Sequence, residues 1–148
     1  MSDTQVVAEA MRRLETVRPN IEEWLRQLAV VPPPAAARSL HFEVFPGEVR
    51  YRVPVVSFLL DDDDNEVFGW ASPEQRLLPD LLPLVDPQGP DSKEHSGSVE
   101  EQVAERLLQW LAACLRAVLE PAVDLAVTAS LHDEEPMAIS EILAESRQ

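Results

Sequence analysis

The stretch that decides the fold runs from Ser39 to Trp70, SLHFEVFPGEVRYRVPVVSFLLDDDDNEVFGW. Leu40, Phe42 and Val44 alternate with His41 and Glu43, the period of a half-buried strand. Pro46-Gly47-Glu48 is turn chemistry, since proline presets one dihedral and glycine permits a positive one. Val49, Tyr51 and Val53 then alternate with Arg50 and Arg52. After Pro54 the run Val55-Val56-Ser57-Phe58-Leu59-Leu60 is apolar on both parities, and Asp61-Asp62-Asp63-Asp64-Asn65-Glu66 closes it. Val67-Phe68-Gly69-Trp70 begins a third strand. The stretch reads as a three-strand meander. The run Val55–Leu60 is expected at its centre, covered on both faces by a second helix layer or a second copy of the chain, with Val56 and Leu59 both protected.

Outward from the meander, the chain reads as one domain over residues 1–148. Before it, Val7, Met11, Leu14, Ile21, Leu25 and Leu28 form an apolar stripe that keeps its phase across Pro19. This predicts one kinked helix, or two in line, over residues 3–30, capped by Ser2 or Asp3 and packed on the sheet. Val31-Pro32-Pro33-Pro34 is an extended connector. After it, Ser72-Pro73-Glu74-Gln75 starts a short helix that Pro79 and Pro83 cut up. Residues 86–97, DPQGPDSKEHSG, are expected to be a mobile polar loop.

Ser98-Val99-Glu100-Glu101 is a second capping box, and a helix is predicted to about Glu120. Val103, Leu107, Trp110, Leu111, Cys114, Leu115 and Val118 share one side and leave only a narrow polar stripe. This is the most buried helix of the chain. Pro121 stops it, and residues 122–132 alternate as a fourth strand. Asp133-Glu134-Glu135-Pro136 turns the chain into a short helix over Met137–Glu145. The fold class is α+β: an antiparallel sheet of about four strands packed with a long N-terminal helix, a long buried helix and a short C-terminal helix.

The formal net charge is −15, of which residues 31–148 carry −14, from 22 acids and eight bases. Such a field opposes nucleic acid and anionic membranes and favours basic partners. One cysteine, Cys114, excludes an internal disulfide and a cysteine-based zinc site. Its place on the core side of a helix makes it a structural thiol rather than a nucleophile. The N-terminus carries no secretory signature, no run is fit to span a bilayer, and the expected location is cytoplasmic. Eleven arginines against one lysine, among many Ala, Leu and Pro, point to a bacterial source.

Three groups of residues invite a chemical reading. The acidic turn fails as an EF-hand: position six is Glu66 where glycine is needed, and position twelve is Ser72 where glutamate is needed. A solvated turn is the plainer reading. A docking surface for a basic partner ranks above a cation site, and its residues are Asp61, Asp62, Asp63, Asp64 and Glu66, with Trp70 as an aromatic anchor. His41 and His132 fall on the polar parity of their strands and are expected at the surface. If those strands were neighbours, the rings could meet beside Glu43 or Asp124 as a metal or acid–base pair. The four glycines fit no phosphate loop, dinucleotide fingerprint or nucleophile elbow. No catalytic residue, resident metal or cofactor is assigned.

In size, acidity and poverty of motifs the chain resembles small bacterial immunity proteins that neutralise toxins. The resemblance implies a non-catalytic inhibitor of a basic protein. The order of elements also looks like class I chaperones of type III secretion, which have a helix, three strands, a helix, further strands and a last helix. That resemblance implies a homodimer that binds an unfolded segment of a secreted protein. The chain departs from it in a longer first helix and in a single strand after the long helix.

Overall fold

The computed structural model describes residues 2–44, 55–68 and 97–145. Helix α1 spans Asp3–Ala29. Ser2 caps it: its hydroxyl accepts from the Gln5 amide at 3.2 Å, and the Gln5 side chain accepts from the Ser2 amide at 2.8 Å. Pro19 lies within the helix, and Leu14, Ile21 and Leu25 stay buried on either side of it. Strands β1 (Ser39–Val44) and β2 (Val55–Leu60) follow. Helix α2 spans Gly97–Cys114 and continues as a π-helical turn, Leu115–Leu119, and a 3-10 turn, Glu120–Ala122. Strands β3 (Ala126–Leu131) and β4 (Met137–Ala138) and helix α3 (Ile139–Glu145) complete the described chain.

The α+β class holds, but the sheet is mixed rather than antiparallel. Its order is β2-β1-β3-β4. β1 pairs antiparallel with β2 and parallel with β3, and β3 pairs antiparallel with β4. The parallel pairing has a simple cause. The chain between β1 and β3 contains α2, and a crossover of that length can bring a strand back in the same direction, as a tight turn cannot.

Two further expectations are corrected. The first concerns Val55–Leu60, which pairs with β1 on one edge and, among the described residues, meets a single bridge at Glu66 on the other. Among the described strands β2 lies at the end of the order, and β1 and β3 are inside. Val55, Ser57 and Leu59 face the core, while Val56, Phe58 and Leu60 are half-buried on the other parity. Leu59 is buried and Val56 half-buried. Among the described strands β1 takes an interior place because β3 supplies partners for its polar parity. The second correction concerns Met137–Glu145, which is not helical throughout. The turn after His132 returns Met137 and Ala138 to pair with Ala129 and Thr128 before the helix starts. Asp133 takes a φ of 68° there, and the Glu134 amide donates to Leu131 O at 3.1 Å.

Among the described residues the third strand of the meander shows a single bridge, Leu60 to Glu66, with the Val67 amide donating to Leu59 O at 2.8 Å. The stretch Val49–Val53, Gly69 and Trp70, the short helix from Ser72 and the polar loop up to residue 96 lie outside the described residues.

One apolar core joins the layers. α2 packs on β3 and β1, and α1 packs on α2 and its π-helical extension rather than chiefly on the sheet. α2 is therefore covered on two sides, which is why Leu107, Leu111, Cys114, Leu115 and Leu119 are all buried. Burying each leucine contributes about 1.5–3 kcal/mol relative to leaving it exposed. The Trp110 indole N–H donates to Glu15 Oε1 at 3.0 Å and ties α2 to α1. Leu40, Phe42 and Val44 of β1 are fully buried against the helices. His41 and Glu43 point to the opposite face.

Candidate functional site

The acidic turn is held by its first residue. One carboxylate oxygen of Asp61 accepts from the amides of Asp63 and Asn65, each at 2.9 Å. The Asp61 amide donates to Asn65 O at 2.9 Å and the Asp64 amide to Asp61 O at 3.1 Å, so the loop closes on itself. Asp64 sits in the left-handed region at a φ of 62°, a conformation aspartate tolerates better than most residues. Asp61 is half-buried and structural. Asp62, Asp63 and Asp64 project into solvent. Asp62 lies 3.5 Å from Arg38, but with the Asp62 side chain 78% exposed this pair contributes little. Glu66 is half-buried at the bridge to Leu60. Trp70, the proposed anchor, lies outside the described residues.

The second group forms where β1 meets β3. The parallel register sets His41 beside Thr128 and Glu43 beside Ser130. The His132 amide continues the ladder by donating to Val44 O at 2.7 Å. His41 Nδ1 lies 2.9 Å from Thr128 Oγ1, and Nε2 lies 3.2 Å from Ser130 Oγ and 3.7 Å from Glu43 Oε1. The other Glu43 oxygen lies 2.8 Å from His132 Nδ1, and His132 Nε2 lies 3.4 Å from Asp133. One polar chain thus runs from the surface to a buried imidazole.

His41 is not at the surface, as its parity suggested. It is 5% exposed, and Ser130 beside it is 1% exposed. Burial pushes the His41 pKa below the ordinary imidazole value, and Glu43 pulls the other way without winning. The histidines therefore gather around Glu43, as neighbouring strands allow. Thr128 and Ser130, absent from the sequence reading, complete the set. The signal available for them was their place on the polar parity of β3.

The chemistry open to this group is narrow. Ser130 and His41 are a hydroxyl and a base within reach, but both are shielded from solvent. A threonine hydroxyl, not a carboxylate, occupies the ring nitrogen that would orient the base. Among the described residues no group of three or more His, Cys, Asp or Glu side chains is placed to hold a metal ion. Cys114 is buried, and desolvation pushes its thiol up to about 11, away from nucleophile chemistry. No described helix is long and apolar enough to cross a membrane.

The chain matches no protein-family model, no curated protein and no solved structure.

Proposed function

We propose that this chain is a non-catalytic protein-binding module that meets a basic partner through its acidic turn, in the manner of the immunity-type inhibitors it resembles. The observation that carries the reading is the division of labour inside the turn. Asp61 spends its carboxylate on the backbone, and this leaves Asp62, Asp63 and Asp64 exposed on a loop of fixed shape. A net charge of −15 draws a basic surface towards them. The arginine-rich, lysine-poor composition supports a bacterial source, and a cytoplasmic location goes with that proposal.

The test is affinity capture from extract of the native cell with the wild-type chain and with D62S/D63S/D64S, leaving Asp61 in place. A basic protein retained by the wild type, released by salt and lost by the variant supports the turn as the contact. Equal retention by both chains removes the turn from the proposal.

A second reading is a dimeric chaperone of the secretion type. One observation favours it: β4 supplies a second strand after the long helix, which removes one of the chain's departures from the order of elements in those chaperones. Light scattering separates the readings. A homodimer supports the chaperone, and a monomer excludes it.

A further inference from the structure

We propose that His41, Glu43 and His132 form a pH-sensitive latch on the β1–β3 seam, in which two imidazoles compete for one carboxylate. The geometry sets up the competition. Glu43 turns one oxygen to each ring, at 2.8 Å from His132 Nδ1 and 3.7 Å from His41 Nε2. A single carboxylate compensates a single imidazolium. Among the described residues Glu43 is the one carboxylate that reaches both rings, so two protonated rings would share its single charge on a half-buried face.

The neutral form of His41 is the one the fold satisfies. Its two nitrogens already contact the Thr128 and Ser130 hydroxyls, each of which can donate or accept. Among the described residues few other charges bear on the ring. β1 contributes Glu43, and the end of β3 contributes His132 with Asp133 behind it. β2 sets Phe58 opposite His41 and Val56 opposite Glu43, and β4 sets Ala138 opposite Thr128. Among the described residues no further charged group faces His41 from these strands. Asp133, with its side chain 86% exposed, compensates the outer ring only weakly.

The seam is the only parallel pairing among the described strands, and it joins the chain before α2 to the chain after it. Acidification loads both rings, repulsion then acts across this pairing, and β3 loosens from β1.

The test follows the His41 ring signal by NMR against pH in the full-length wild type, H132N and E43Q. In H132N, Glu43 is released to His41, and the His41 midpoint moves up. In E43Q the compensating charge is gone, and the midpoint moves down. An unchanged His41 midpoint in H132N shows the rings to be uncoupled and overturns the latch. H132N decides the matter even if E43Q does not fold, because His132 is at the accessible end of the chain of contacts. Amide exchange of β3 in the same samples reads the consequence. Its protection falls on acidification in the wild type and falls less in H132N. Equal losses in the two proteins contradict the latch.

Discussion

The protein carries two polar groups of opposite construction. The acidic turn is made of consecutive residues, Asp61 to Glu66, and satisfies its own backbone. The seam group is made of residues 87 and 89 apart in sequence, brought together by strand register. The first stands in water, where its charges cost little and interact weakly. The second lies against the sheet, where each unpaired polar atom is expensive. Density of charge in a sequence therefore says little about where electrostatics governs stability. Here Asp62, Asp63 and Asp64 stand exposed while Asp61 alone serves the backbone, and two histidines that looked like surface residues line the seam.

The contrast can be broken or sharpened by substitution. The largest effect belongs to the core side of the seam. Phe42 is fully buried on β1, and Phe42→Ala is expected to cost about 3–5 kcal/mol in denaturant unfolding. A cost near zero would mean that β1 is not the interior strand.

The next effect is pH dependence. The folded pKa of His41 is lowered, so the unfolded chain binds more protons once the pH drops below about 6.5. The stability that His41 contributes as a neutral ring is present in full above that value. It is lost as the pH falls towards and through the folded value. Relief of the −15 net charge acts in the opposite direction, so the comparison is with His41→Leu. The stability difference between wild type and variant, from thermal melts, should shrink as pH falls from about 7 to about 5. A constant difference would deny that His41 is buried as a neutral ring.

Within the turn the effects are smaller and unequal. Asp61→Ala removes the acceptor of two backbone amides and is expected to cost about 1 kcal/mol. D62S/D63S/D64S together should stay within about 0.5 kcal/mol of wild type by the same assay. If all four aspartates proved equivalent, the turn would not be built on Asp61.

These contrasts also show what a single sequence displays. The long helices were legible because their stripes are local and wide, and the capping box at Ser2 and Gln5 was present in the sequence itself. The acidic turn was legible for the same reason. What was not legible is pairing across the chain. Alternation marks β1 and β3 as strands but carries no information on whether they are neighbours or parallel, so the burial of His41 was hidden. The apolar run Val55–Leu60 marks a strand covered on both faces but carries no information on its place in the sheet order. The half-buried parity of Val56, Phe58 and Leu60 is compatible with the end of the sheet order. Met137 and Ala138 were too few to register against a helical pattern that resumes at Ile139.

The parallel register of β1 and β3 underlies both hydroxyl contacts of His41, and NMR cross-peaks between the His41 ring and the side chains of Thr128 and Ser130 test it most directly. The register predicts contacts from His41 to both residues, and a titration midpoint for the His41 ring below the usual imidazole value. A His41 ring without cross-strand contacts, titrating as a free imidazole in water, would contradict it.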